Sequence, residues 1–173
     1  MEIEVRRVRP EEYEEAGGVT ALAYEEFARP GDPDWETYLT RIADIAGRAG
    51  HTLVLVAVER GRVLGSLTLE LERRVGAGRQ DRTGEPLGPG EAHVRMLGVD
   101  PAERGRGIGR RLMDGAIEEA RVAGKTVMTL NTTRRMRAAQ RMYESMGFVR
   151  GPDVEYDDGF RLLAYSKRLD RGG

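Results

Sequence analysis

V-R-M-L-G-V-D-P-A-E-R-G-R-G-I-G, Val94 to Gly109, is the stretch whose reading decides the fold of this 173-residue chain. Its first half continues an apolar, strand-like run from Ala92 to Val99 that Asp100-Pro101 ends. Its second half is a turn with glycine at 105, 107 and 109, where backbone can bend tightly and approach a ligand with no Cβ in the way. Beyond the turn, Ile108, Leu112, Ala116 and Ala120 mark one helix face as far as Gly124, a suitable C-terminal cap. A helix start exposes unpaired N–H groups and the positive end of the macrodipole, and Arg104, Arg106 and Arg110 add charge, so the turn reads as an anion site. A charge-assisted hydrogen bond contributes roughly 1.5–3 kcal/mol, so a few amides and one arginine suffice for micromolar binding of a diphosphate. Spacing alone also allows a solvated glycine turn.

Working outward, the run Lys125 to Asn131 is a second strand, and strand, helix and strand together form a right-handed crossover that sets two parallel strands side by side. A dinucleotide fold would want its glycines directly after the strand and an acid at the end of the next one, whereas Asp100 to Glu103 intervene and Asn131 occupies that end. A Walker loop lacks its G-K-S/T. Upstream, His51 to Glu59 and Val63 to Glu72 read as a hairpin turning at Arg60-Gly61. A short strand at Ile3 to Val8 precedes a helix begun by Pro10-Glu11-Glu12, and Trp35 to Ala49 reads as a second helix. Downstream, a helix from Arg135 to Met146 stops at Gly147, and strands Phe148 to Tyr156 and Phe160 to Arg168 turn at Asp158-Gly159. The expectation is one α/β (α+β) domain over residues 1–173, with a mixed sheet flanked by helices. Arg73 to Gly90 has no periodicity and reads as a functional flap or a disordered loop.

Composition narrows the function. The net charge is -1, with only Lys125 and Lys167 as lysines, which disfavours nucleic acid and membrane surfaces as partners. No cysteine is present, which excludes a thiol nucleophile and a disulfide framework, and no metal site is expected. The longest apolar run is far short of the roughly 20 residues of a membrane span, and a cytoplasmic setting is expected.

Val94 to Gly109 resembles the cofactor motif of the GNAT superfamily, the acetyl-CoA-dependent N-acetyltransferases: its pattern Q/R-x-x-G-x-G/A is met by Arg104, Gly107 and Gly109. A second match, A-A-Q-R-M-Y-E-S-M-G-F from Ala138 to Phe148, is similar to the family's closing helix. The resemblance implies that the fourth and fifth strands splay apart and that the coenzyme A arm lies between them, on backbone around Leu97, Gly98 and Val99. The diphosphate would rest on Arg104, Gly105, Arg106, Gly107, Ile108, Gly109 and Arg110, with Asn131 on the arm. It further implies transfer of an acetyl group from acetyl-CoA to a primary amine, more readily of a small molecule than of a peptide, by direct attack in a ternary complex. The alternative is a non-catalytic acyl-CoA-binding module. The resemblance also allows a homodimer, in which the final strands, Phe148 to Arg168, pair or pack with a second copy as they do in many relatives.

Acetyl transfer needs a neutral amine and a proton for the departing thiolate. The resemblance assigns the proton to Tyr143. If Gly147 is C′, Tyr143 and Phe148 are also the pair whose contact accompanies a Schellman cap, so its ring can pack while its hydroxyl acts. Candidate bases are Glu91, heading the fourth strand, and His93, on the same face by parity, with a water chain as the other route. Tyr24, Phe27 and Trp35, near Tyr38 and several acids, would meet a cationic acceptor or merely fill the core.

Overall fold

Alternation along the central hairpin turns Leu55, Leu67 and Leu69 to one face of the sheet and Val54, Val56 and Val58 to the other, and both sets are buried. A sheet apolar on both faces requires helices on both. The computed structural model describes residues 2–27, 31–73, 86–155 and 161–169. In chain order these form β1 (Glu4–Arg7), α1 (Tyr13–Glu25), α2 (Pro33–Ala43), α3 (Ile45–Ala49), β2 (Leu53–Glu59), β3 (Arg62–Glu70), β4 (Glu91–Val99), α4 (Ile108–Val122), β5 (Val127–Thr132), α5 (Arg137–Ser145), β6 (Val149–Arg150), β7 (Val154–Glu155) and β8 (Arg161–Arg168).

The strands lie in the order β1-β2-β3-β4-β5-β8-β6, with β7 also on β8. The β4–β5 pair is parallel and its neighbours are antiparallel, as the crossover requires. Ala16 of α1 and Ile45 of α3 cover Val54, Val56 and Val58. On the opposite face α4 supplies Ile108, Leu112, Met113, Ala116, Ile117 and Ala120 to a cluster that Tyr143, Met146 and Phe148 share. Each of these side chains contributes about 1.5–3 kcal/mol when fully buried, less for alanine.

Two elements depart from the sequence reading. The helix expected over Trp35 to Ala49 breaks at Asp44, whose backbone leaves the helical region (φ -84, ψ 72) and whose carboxylate accepts the Gly47 amide at 2.9 Å to cap α3. The strand expected over Phe148 to Tyr156 is interrupted after Arg150: Gly151 N still donates to Ala164 O at 2.8 Å, but Pro152 has no N–H to continue the ladder. The turn at Asp158-Gly159 and the stretch 74–85 of the Arg73 to Gly90 loop lie outside the described residues. No helix among the described residues is long and apolar enough to cross a membrane.

Candidate active site

The register of β4 builds an opening into the sheet. β4 and β5 pair from Glu91↔Val127 to Val94↔Leu130 and then part, since Asn131 and Thr132 pair only with β8. On its other side β4 carries a bulge: Ser66 faces Gly98 and Thr68 faces Arg95, so Met96 and Leu97 stand opposite Leu67 alone. Met96 takes φ 52, a left-handed conformation a non-glycine residue holds only when its surroundings enforce it. Its side chain packs with Ile42, Tyr24, Tyr38 and Leu39. The bulge changes the parity of the strand. Ala92 and Val94 face α4, whereas Met96 faces the α1–α2 side and Leu97 and Val99 pack with the α4 cluster.

Gly98 then points at α1, where a Cβ would sit 3.1 Å from Ala23 Cβ and 3.2 Å from Thr20 Cα. The close approach at this glycine is to α1, and the bulge falls two residues earlier.

The glycine turn opens α4 as expected. Gly105 and Gly107 adopt φ 82 and 74, Gly107 is the N-cap, and the first intrahelical bond runs from Arg111 N to Gly107 O at 3.1 Å. No side chain caps this start, so the cap residue supplies no side-chain acceptor to the first-turn amides. The three arginines differ. Arg104 forms a bidentate ion pair with Glu26 at the end of α1. Arg106 is held by Glu59 at 2.7 Å and Glu103 at 2.6 Å, which keep both carboxyls below the usual range and raise the guanidinium, so it ties the turn to the β2–β3 hairpin. Arg110 donates to Ser145 Oγ of α5 at 3.2 Å. Exposed pairs of this kind contribute little to stability and leave Arg104 able to exchange its partner.

Tyr143 lies on α5, 5% exposed. Phe148 N donates to its carbonyl at 3.0 Å, Gly147 N donates to Glu144 O at 3.1 Å and Gly147 has φ 87, so the cap is a Schellman motif. The Tyr143 ring lies 5.8 Å from Phe148 and 6.0 Å from Tyr165. Burial alone pushes its phenol above the usual range. Asn131 stands just past the parting, exposed and on the same strand face as Thr129.

The opposite, α1–α2 side of the parting is polar. His93 is 4% exposed, and its Nδ1 lies 2.7 Å from Thr129 Oγ1 on β5. Thr129 in turn donates to Glu91 Oε2, and Glu91 Oε1 accepts the Gly88 amide at 2.9 Å. Across β3, Glu70 is 0% exposed with Arg95 Nη1 at 4.0 Å. Arg48 lies alongside: Nε donates to Thr68 Oγ1 at 3.0 Å and its Nη atoms donate to the carbonyls of Arg41, Ile42 and Asp44 at 2.8–3.0 Å. Burial lowers its pKa to about 10, so it stays charged at neutral pH.

Of the aromatic residues expected to meet an acceptor, Tyr24 lies 6.2 Å from Tyr38 and Trp35 5.5 Å from Tyr38. Phe27 makes none of these ring contacts among the described residues; its carbonyl accepts from Arg135 at 3.4 Å. Trp35 Nε1 is buried with no hydrogen-bond partner among the described residues. Burial first, then Tyr38 and Tyr143, raises the Tyr24 phenol well above its usual range.

Sequence reasoning missed Thr129, Arg95, Glu70 and Arg48. The legible signal was Glu70, a carboxylate inside the strand-like run L-T-L-E-L, Leu67 to Leu71. A separate groove of 390 Å³, lined by Arg134, Arg137, Gln140, Arg141, Glu144, Arg150 and Leu163, shares none of the residues of the parting. Among the described residues no group of acids and histidines could hold a metal ion.

The chain has relatives consistent with this layout. It is 40% identical over 73 residues to a mycothiol acetyltransferase of Streptosporangium roseum, 42% of this chain but 20% of that protein, so the chain spans far less than two-thirds of that relative. It is 30% identical over 151 residues to a probable glucosamine 6-phosphate N-acetyltransferase of Oryza sativa, covering 85% of this chain and 82% of the relative. A GNAT family acetyltransferase from Brucella melitensis, solved in complex with acetyl-CoA, superimposes with a TM-score of 0.59 at 26% identity over 92% of this chain and 94% of that one. The model of the acetyltransferase (GNAT) family matches residues 18–148, most of the chain, and the chain belongs to that family.

Proposed function

We propose that this protein transfers the acetyl group of acetyl-CoA to a primary amine of a small molecule by direct attack. The observation that carries the reading is the parting of β4 from β5 beyond Val94↔Leu130, with His93 on one side of the sheet and Tyr143 on the other.

Acetyl-CoA supplies an activated acyl group as a thioester. The residues of the parting fit it: β4 from Arg95 to Val99 has no β5 partner, leaving a strand edge for the pantetheine amides along Leu97, Gly98 and Val99. The turn from Arg104 to Gly109 offers the first-turn amides of α4 to a diphosphate, with Arg104 changing partner from Glu26, and Ile108 anchors the helix start in the core at 2% exposure. Arg106 steadies this turn, Arg110 adds charge, and the exposed Asn131 would hold the arm by a hydrogen bond.

His93 takes a proton from the ammonium, the neutral amine bonds to the acyl carbon, the carbon–sulfur bond breaks as Tyr143 gives its proton to the thiolate, and the second proton shed by the nitrogen as the amide forms restores the phenol. A phenol held above its ordinary pKa is protonated across the working pH range, which suits a donor. Tyr24, Trp35 and Tyr38 line the acceptor side, and Trp35 Nε1, without a partner among the described residues, offers a hydrogen bond to an acceptor oxygen.

The test is thiol release from acetyl-CoA across a panel of small primary amines. Release with at least one amine supports the reading; tight acetyl-CoA binding without release from any would indicate a non-catalytic binding module instead.

A further inference from the structure

We propose that Thr129 is the positioning residue that makes His93 Nε2 the basic atom and couples it to Glu91. This rests on the reading of His93 as the base. The argument is one of proton counting. A threonine hydroxyl has one proton and two lone pairs, and a carboxylate only accepts. Thr129 gives its proton to Glu91 Oε2. Its oxygen can then only accept from His93 Nδ1, 2.7 Å away, so Nδ1 carries the hydrogen of the neutral imidazole and Nε2 carries the lone pair.

In this arrangement Glu91 acts at one remove from the amine. Its Oε1 is engaged by the Gly88 amide and its Oε2 by Thr129, and it acts through the hydroxyl. When Nε2 takes the proton, the imidazolium charge is balanced along Nδ1–H to Thr129 to Glu91, with no proton leaving Thr129. The relay also sits where it cannot slip: His93↔Thr129 is the pair next to the last one before the strands part, and Thr129 is further held by Ser166 of β8. A β-branched side chain in a strand has few rotamers, which fixes the hydroxyl direction. Among the described residues the other charged or titratable groups on this side are Glu70 from β3, Arg95 from β4, Tyr24 from α1, Tyr38 from α2 and Arg48 from α3.

The experiment uses the full chain and two variants. Thr129→Val keeps the shape and removes the hydroxyl; it is expected to lower kcat by about 10- to 100-fold, the scale of losing an oriented base, with KM for acetyl-CoA unchanged. Loss of the link to the carboxylate destabilises the imidazolium, so the acid limb of kcat/KM against pH moves to lower pH. Thr129→Ser keeps the hydroxyl and is expected to recover most of the rate and the original limb. Independently, ¹⁵N NMR of a His51→Gln background, in which His93 is the sole histidine, should show Nδ1–H in the neutral imidazole, lost to a tautomer mixture in Thr129→Val. An Nε2–H tautomer, or a Thr129→Val enzyme with the wild-type acid limb, would overturn the proposal. If no amine is turned over, the acetyl-transfer reading fails on its own, and the tautomer alone decides the role of Thr129.

Discussion

The amide of Phe148 donates to the carbonyl of Tyr143 at 3.0 Å while their rings meet at 5.8 Å, so one residue both closes α5 and carries the candidate acid. The two roles use different atoms. The cap uses the Tyr143 carbonyl and ring; the chemistry uses the hydroxyl. Tyr143→Phe should therefore fold with an unchanged melting temperature and lose about 100-fold in kcat, measured by thiol release. Phe148→Ala removes the ring contact and the buried volume, and should cost roughly 3–5 kcal/mol of stability in urea unfolding.

Gly107 is the second test point. Its φ of 74 at the α4 N-cap strains any side chain by roughly 1–2 kcal/mol, and relief of that strain turns the first-turn amides away from their common focus. Gly107→Ala should weaken acetyl-CoA binding about tenfold by calorimetry, equivalent to about 1.4 kcal/mol. An unchanged affinity would mean that these amides do not face the diphosphate.

Arg48 tests the acceptor wall. Its guanidinium holds Thr68 and the carbonyls of Arg41, Ile42 and Asp44, where α2 gives way to α3. Arg48→Met strands these acceptors in a buried setting and should destabilise the fold by about 3 kcal/mol or more in urea unfolding. Arg48→Lys should rescue little, because a single ammonium cannot span the planar fork of contacts.

These positions show what a sequence yields and what it withholds. The strand, turn and helix around Gly105, Gly107 and Gly109 were legible because a period of two gives way to one of 3.6 across residues that favour positive φ. The Tyr143 to Phe148 cap was legible for the same local reason, glycine at C′. The bulge at Met96 was not, because the register of β3 against β4 sets it, and nothing in V-R-M-L-G names methionine as the residue to take φ 52. Thr129 reads as an ordinary β-branched strand residue until the fold sets His93 beside it. Arg48 reads as a solvated helix arginine until the break at Asp44 turns it inward.

The central claim is that acetyl-CoA occupies the parting of β4 and β5 and the turn that follows it. Amide hydrogen exchange read by mass spectrometry, with and without acetyl-CoA, tests it most directly. Slowed exchange is predicted in the segments spanning Leu97 to Val99 and Arg104 to Gly109. Unchanged exchange there, with slowing instead at the arginine-lined groove of Arg134, Arg137 and Arg141, would contradict it.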